Sequence, residues 1–124
     1  MNGIFLTGAS GIEYLYTPYL FSETRWHSDP ANYAFAHSGD GAAWHIVYVG
    51  ETENLLTRMR GHGQWAAAQR LGGTHVLVKL NTGGPRVRRV EERDLIARYR
   101  PVLNTQHLRE PTLRVKRMGY YPGG

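Results

Sequence analysis

The chain contains no cysteine, which excludes a disulfide framework and a thiolate metal site. It also has no apolar run long enough to cross a membrane, because the longest one, around Ile46 to Gly50, is far shorter than a bilayer span. Its first residues, Met1 to Gly3, lack the basic start and long apolar core of a signal peptide. We therefore expect a soluble, cytoplasmic protein without a membrane partner.

Acidic residues are scarce in the second half of the chain. Through Thr57 there are one basic and six acidic residues, a net charge of −5, whereas from Arg58 onward there are fourteen basic and four acidic residues, a net charge of +10. A basic half of this kind attracts phosphate-rich ligands, with an affinity that falls as salt rises. A solvated basic surface explains the same charges equally well, so composition alone leaves both interpretations open.

The length of 124 residues is close to the most common size of one domain, and two domains would each be too small for a good core. We predict one domain over residues 1–124, without repeats. Within it, residues 1–29 form an N-terminal hairpin and loop, residues 30–104 a core, and residues 105–124 a basic tail.

Hydrophobic periodicity predicts an α/β (α+β) chain. A β-hairpin is predicted from Ile4 to Thr7 and Ile12 to Tyr19, around a Gly-rich turn that lacks the Lys-Ser/Thr pair of a phosphate-binding loop. The core strands are predicted at 33–37, 44–50 and 74–80, the first two as an antiparallel hairpin, and the helices directly after Gly50, at 64–71 and at 87–99.

Polar side chains converge after the strand that ends at Gly50. With Thr52 as N-cap of the next helix, Arg58 and His62 stand four residues apart and would share one helical face, close to Tyr48. Taken singly, a tyrosine here is more often a core residue and an arginine more often a surface cation. The corner is therefore a candidate site, and from the residues alone these structural roles stay open.

The long helix carries two adjacent glutamates that its helical wheel separates. At about 100° per residue, Glu92 falls inside the arc of Leu95, Ile96 and Tyr99, whereas Glu91 points toward the charged side. A carboxylate within an apolar stripe is costly unless it is paired or binds a metal ion. The wheel therefore selects Glu92, as a metal ligand or as one partner of a buried ion pair with an arginine.

Four motifs in order resemble the GIY-YIG nuclease family. They are Pro30-Ala31-Asn32-Tyr33, Tyr48-Val49-Gly50 with Arg58 and His62 downstream, Glu92-Arg93-Asp94-Leu95-Ile96, and Pro101-Val102-Leu103-Asn104. Together they span about 75 residues, in keeping with one domain. The first motif has Asn32 where the family has an apolar strand residue, which predicts a local change of packing.

The resemblance implies a three-stranded antiparallel sheet flanked by helices, with the N-terminal hairpin as an addition. It also implies Mg²⁺- or Mn²⁺-dependent hydrolysis of DNA phosphodiesters with weak sequence selectivity, on duplex, single-stranded or distorted DNA. The implied catalytic residues are Tyr33, Tyr48, Arg58, His62, Glu92 and Asn104, with Glu92 holding the metal ion. The expected nucleic-acid contacts are Arg58, Arg60, Arg109, Arg114, Lys116 and Arg117.

In family terms, Arg58 would bind the scissile phosphate and Tyr33 would orient or deprotonate the attacking water, helped by Tyr48 and His62. Two alternatives stay open. One is a non-catalytic nucleic-acid-binding module on the same fold, and the other is a small basic structural or partner-binding protein.

Overall fold

Eight regular elements follow one another in the computed structural model, which describes residues 3–38 and 43–104. They are β1 (Ile4–Thr7), β2 (Glu13–Leu20), β3 (Ala31–Ser38), β4 (Trp44–Thr52), α1 (Leu55–Arg60), α2 (Trp65–Arg70), β5 (His75–Leu80) and α3 (Pro85–Tyr99). All strand pairs are antiparallel, in the order β1-β2-β5-β3-β4. The expected α+β fold with an antiparallel sheet flanked by helices is confirmed.

The expected number of strands, three, is wrong, because the sheet has five. The N-terminal hairpin does form, but it is not an appendage: Thr17 of β2 pairs with Val78 of β5, and Leu20 pairs with His75. This pairing makes β5 an internal strand, and so satisfies backbone groups that would otherwise lie at a sheet edge. Alternation along β2 predicts a strand but not its neighbour, which lies about 60 residues away in the chain.

Helices cover both faces of the sheet. Helix α3 packs on the face that includes Leu6, Tyr16, Ala34, Val49 and Leu77, and it contributes Leu95 to that cluster. On the opposite face, α1 and α2 contribute Leu55, Met59 and Ala68, which pack with Tyr33, Phe35 and Val47. Neighbouring residues of β3 therefore belong to different cores, as the period of two in a strand requires.

The Gly-rich turn between β1 and β2 fastens the hairpin to α3. Asp94 accepts hydrogen bonds from the backbone and the hydroxyl of Ser10 and from the hydroxyl of Tyr14, at 2.9, 2.6 and 2.7 Å. A Cβ atom at Gly8 would overlap the Asp94 carboxylate, which explains the glycine. The turn thus holds a carboxylate of its own chain, in agreement with its interpretation as a plain turn.

The wheel was wrong about which glutamate of α3 is buried. Glu91 is 3 % exposed and accepts hydrogen bonds from Tyr16 Oη, Lys79 Nζ and Asn81 Nδ2, at 2.6, 2.9 and 3.3 Å. Glu92 is only half-buried. The buried side of α3 is centred on Arg88, Glu91 and Leu95 and is partly polar, so an apolar arc does not mark it. The buried ion pair exists, but it belongs to Glu91 and a lysine.

The same polar network explains the departure in the first motif. Asn32 is fully buried; its Nδ2 donates to the Arg88 carbonyl at 2.9 Å, and its Oδ1 accepts from Asn81 Nδ2 at 2.8 Å. Arg88 in turn donates to Glu51 Oε1 at 3.0 Å. Buried amides of this kind are tolerated because their hydrogen bonds are made. Asn32 therefore ties β3 to α3, where an apolar side chain would only fill space.

We expect Glu91→Gln to destabilise the fold by about 2–3 kcal/mol, because it removes the charge from a buried hydrogen bond with Tyr16 and a partly buried one with Lys79. Glu92→Gln should not lower stability. Urea denaturation of both variants measures the difference. Equal unfolding midpoints for the two would contradict the assignment of the structural role to Glu91.

Within residues 3–38 and 43–104, no helix is long and apolar enough to span a bilayer.

Candidate active site

A β-bulge in β4 orients the second tyrosine. The register between β3 and β4 shifts between Phe35 and Ala36, so that Tyr48 lies opposite Phe35, Ile46 lies opposite Ala36, and Val47 is the extra residue. Val47 and Tyr48 consequently both pack against the core cluster below α1 and α2. The bulge thereby brings the Tyr33 and Tyr48 rings to a centroid distance of 6.2 Å.

Gly50 makes room for the first tyrosine. Tyr33 lies directly opposite Gly50 in the sheet, and its phenol passes over the glycine. A Cβ atom at Gly50 would lie 2.5 Å from Tyr33 Oη and 3.0 Å from Tyr48 Cε2. Any larger residue would have to displace one of the two rings, so this glycine belongs to the site through its lack of a side chain.

Helix α1 brings Arg58 to Tyr33. Its N-cap is Asn54, whose Oδ1 accepts from the Thr57 N–H at 3.1 Å; the prediction of Thr52 as the cap is wrong, since Thr52 Oγ1 instead bonds the backbone of Asn54. Arg58 Nε donates to Tyr33 Oη at 3.3 Å. This bond strongly favours the charged guanidinium, and it is the main cause that raises the pKa of Arg58.

His62 reaches the same phenol by a different route from the one expected. Helix α1 ends at Arg60, so Arg58 and His62 do not share a helical face. His62 nevertheless places Nε2 2.6 Å from Tyr33 Oη. The chain turns at the end of the helix, and the imidazole packs edge-on against the rings of Phe35 and Tyr48.

The hydrogen bonds define the protonation state of His62. Its Nδ1 accepts from the Gln64 N–H at 3.0 Å and therefore carries no proton, so Nε2 carries the proton of the neutral ring and donates it to Tyr33 Oη. Burial, followed by the charge of Arg58, lowers the pKa of His62 to about 4. Tyr33 Oη thus accepts two hydrogen bonds, from His62 and Arg58.

Tyr33 and His62 support the site from below. Tyr33 has no exposed surface and His62 is buried, and neither side chain lines the neighbouring cleft. Burial also raises the pKa of the Tyr33 hydroxyl, which disfavours its ionised form. The resemblance implies that Tyr33 orients or deprotonates the attacking water, and the structure places its hydroxyl beneath the cleft and outside its lining.

The cleft itself has a volume of about 480 Å³ and lies beside the edge strand β4. Its polar lining comes from separate parts of the chain: Tyr48 of β4, Arg58 of α1, Gln64 before α2, Glu92 of α3 and Asn104 after α3. Ile96 and Leu103 provide apolar walls. Four of the six predicted catalytic residues therefore line one cleft, and the other two lie beneath it.

Glu92 is the carboxylate in the lining of this cleft. Burial, and secondly the charge of Glu51, raise the pKa of Glu92 to about 6, while Arg93 and Arg89 act in the opposite direction. A carboxylate whose charged form is disfavoured in this way is stabilised by a nearby cation. Within residues 3–38 and 43–104 no three His, Asp or Glu side chains are grouped to hold a metal ion. Glu92 would therefore be the one carboxylate ligand of an ion such as Mg²⁺, which is commonly bound through one or two carboxylates and keeps several waters.

Asn104 closes the edge of the sheet. Helix α3 ends at Tyr99, Arg100 adopts a left-handed backbone with φ 46°, and the chain then returns to β4. There Asn104 Oδ1 accepts from Val49 N–H at 2.8 Å, and its Nδ2 donates to the Val49 carbonyl at 3.0 Å. Both amide atoms are thus engaged by β4, next to Tyr48, so this side chain positions the second motif.

The basic residues predicted to contact nucleic acid are placed unequally. Arg58 lines the cleft, whereas Arg60 is exposed at the end of α1 and is not part of the lining. The other four, Arg109, Arg114, Lys116 and Arg117, lie outside the described residues. Sequence reasoning missed Arg89 and Arg93, which act electrostatically on Glu92 and stand three residues before and one residue after it on α3. Their spacing from Glu92 was the available signal.

Comparisons of the chain with protein-family models, with curated proteins and with solved structures found no match. A functional proposal therefore rests on the cleft and on the spacing of its residues.

Proposed function

We propose that the protein is a metal-dependent endonuclease of the GIY-YIG type that hydrolyses DNA phosphodiesters. The observation that supports this proposal most is the assembly of Tyr48, Arg58, Glu92 and Asn104 around one cleft, although up to 56 positions separate them in the sequence. The set combines a cation for phosphate, a carboxylate for a metal ion and a phenol for water. These are the groups that phosphodiester hydrolysis requires.

Arg58 is the phosphate-binding group of the proposed reaction. Its Nε–H donates to Tyr33, it also interacts with Tyr48, and it lines the cleft, where its N–H groups can approach a phosphate. A guanidinium stays protonated throughout and can form paired hydrogen bonds with phosphate oxygens. It thereby stabilises the charge that grows on the phosphate during attack.

Tyr48 is the group that can contact the attacking water. It lines the cleft, whereas Tyr33 is buried beneath it and acts on the reacting atoms through its contacts with Arg58 and Tyr48. His62 donates to Tyr33 and so fixes the acceptor that holds Arg58 in place. We therefore assign water orientation to Tyr48 and a positioning role to Tyr33 and His62.

Glu92 would hold the Mg²⁺ or Mn²⁺ ion. When bound, such an ion acts as a Lewis acid on the phosphate and lowers the pKa of bound water. Weak sequence selectivity is part of the proposal, because contacts to phosphates position a protein on DNA without reading its bases.

Incubation of the purified protein with supercoiled plasmid, with Mg²⁺, with Mn²⁺ and with a chelator, tests the proposal. Nicking or linearisation that requires the divalent ion is the expected result. Binding without cleavage under all three conditions would instead support the non-catalytic module. Absence of both binding and cleavage would overturn both functions.

We expect Mn²⁺ affinity to fall as the pH drops below about 6, because protonation of Glu92 then competes with the metal ion. The stability of the metal-free protein depends on pH in the opposite direction. Since the folded-state pKa lies above the ordinary value of 4.5, protonation of Glu92 favours the folded metal-free protein, and its contribution declines as pH rises through about 6. Calorimetric Mn²⁺ titrations between about pH 5 and pH 8 measure the first effect. An affinity that does not change over this range would contradict a Glu92 site.

We expect removal of the hydroxyl group to have different effects at Tyr33 and at Tyr48. Tyr48→Phe should reduce kcat by about 100-fold, since it removes the proposed contact with water. Tyr33→Phe should act through Arg58, raising KM, and should cost roughly 1–2 kcal/mol of stability because buried His62 loses its acceptor. Steady-state kinetics and urea denaturation distinguish the two variants. Identical changes in kcat, KM and stability would contradict the assigned roles.

A further inference from the structure

The solvent side of α3 carries three arginines that the cleft does not include. Arg86, Arg89 and Arg93 are all exposed, and within residues 3–38 and 43–104 none of them forms an ion pair. At 1.5 Å per residue they span about 10 Å along the helix axis. We refer to these three residues as the α3 ridge.

The α3 ridge lies next to the residues of α3 that line the cleft. At about 100° per residue, Arg89, Arg93 and Arg86 lie roughly 60°, 100° and 120° from Glu92 around the helix, on the side away from buried Leu95. Ile96, which lines the cleft, lies between Glu92 and Arg89 in this projection. Arg58 is a member of the same cleft lining and is carried by α1. The cleft lining therefore contains one basic residue, Arg58, and the α3 ridge lies beside its acidic residue, Glu92.

One acidic residue of α3, Glu92, interacts electrostatically with Arg89 and Arg93, and the other two are engaged elsewhere. Glu91 is buried with Tyr16 and Lys79, and Asp94 is bound by Ser10 and Tyr14 on the other flank of the helix. The remaining acid, Glu92, lies in the cleft. Like charges three and four residues apart destabilise a helix by a few tenths of a kcal/mol per pair, so the arrangement is unfavourable until an anion joins it.

We propose that the α3 ridge binds backbone phosphates of the nucleic acid that enters the cleft, on the flank of Glu92. The partner chemistry follows from the charge, since three unpaired guanidiniums beside a cleft that holds a fourth match a polyanion with regularly spaced phosphates. A duplex presents one phosphate per strand for each 3.4 Å of its axis, so about 10 Å of ridge has room for up to three contacts. The inference rests on the proposed nuclease function for the identity of the polyanion.

The test compares two variants that lose the same charge. The ridge variant carries Arg86→Gln, Arg89→Gln and Arg93→Gln. The control carries Arg25→Gln, Arg70→Gln and Arg98→Gln, all exposed. Arg25 and Arg70 lie outside α3, and Arg98 lies roughly 120° from Glu92 around α3, on the side opposite to the ridge. Anisotropy titrations of a labelled duplex, in chelator and over a series of salt concentrations, measure binding without cleavage. Circular dichroism melting checks that both variants fold.

The ridge variant should lose about 0.9 from the slope of log affinity against log salt for each phosphate contact that is lost. The control should change the same slope by less than about 0.9. Replacing the three ridge arginines with lysines should restore most of the slope, because the charges return. Equal losses in the ridge and control variants, or no loss in either, would overturn the proposal. If both variants melt like the wild type, these outcomes cannot be attributed to unfolding. If the ridge variant unfolds, the single variant Arg89→Gln is titrated in its place, and a slope equal to that of the wild type would overturn the proposal.

Binding and cleavage separate the two proposals. A wild-type protein that binds through the ridge but cuts no plasmid with Mg²⁺ or Mn²⁺ would refute the nuclease function and retain the ridge. A protein that cuts, but binds equally well with and without the ridge, would refute the ridge and retain the nuclease. Absence of any nucleic-acid binding by the wild type would refute both.

Discussion

Glu92→Gln is expected to reduce metal-dependent cleavage by at least about 100-fold while leaving the fold and DNA binding intact. The substitution keeps the shape of the side chain but removes the charge that would hold a divalent ion. It also removes a half-buried carboxylate whose pKa is raised to about 6, so at neutral pH the folded state loses nothing by the change. Plasmid nicking rates, Mn²⁺ titration and urea denaturation measure the three effects.

The control for this experiment is a glutamate outside both the cleft and the buried hydrogen bonds of α3. Glu91, the neighbour in sequence, is unsuitable because its substitution disturbs buried hydrogen bonds to Tyr16 and Lys79. Glu13→Gln is a better match, since Glu13 is exposed at the start of β2 and does not line the cleft. Full nicking activity in Glu92→Gln, or an equal loss in Glu13→Gln, would show that Glu92 is not the metal-binding group.

Arg58→Lys is expected to cost about 100- to 1000-fold in turnover although it conserves the positive charge. Arg58 uses Nε to contact Tyr33 and also interacts with Tyr48, so its planar group is held in the cleft where a phosphate would bind. A lysine ammonium is a single point charge on a flexible stem and cannot keep both contacts in a planar fork. Single-turnover cleavage at saturating protein measures the effect on chemistry apart from binding.

Arg60→Lys provides the matched control, because Arg60 lies two residues further along α1, is exposed and does not line the cleft. Its turnover should stay close to that of the wild type. Wild-type turnover in Arg58→Lys would mean that charge alone suffices at this position, and the proposed role of the guanidinium fork would then be abandoned.

Local patterns identified the regular elements well, because the periods of strands and helices are properties of short segments. The alternation of Tyr33 and Phe35 with small residues corresponds to β3, whose two faces enter two different cores. The hairpin of β1 and β2 also forms as predicted, around its Gly-rich turn. Strand pairing was less accessible, since nothing within β2 specifies that Thr17 will pair with Val78.

Polar burial is where the sequence was misleading. A helical wheel ranks positions by hydrophobicity, and so it favoured Glu92 over Glu91 as the buried carboxylate of α3. The structure buries Glu91 because Tyr16, Lys79 and Asn81 supply its hydrogen bonds from two strands and the loop after β5. Partners at such separations decide whether a charged group can be buried, and a single helix contains no information about them.

The sequence by itself determined the α+β class and the strand-to-helix corner with Tyr48 and Arg58, because both depend on spacing within a short segment. Glu92 became a candidate through the family resemblance and through a helical wheel that misjudged its burial. Only the tertiary structure decided which of these residues face the cleft. It buries Tyr33 over Gly50, engages Asn104 with the edge of β4, and leaves Tyr48 and Glu92 in the lining. The physical reason is that exposure and hydrogen-bond satisfaction depend on groups brought together from distant parts of the chain.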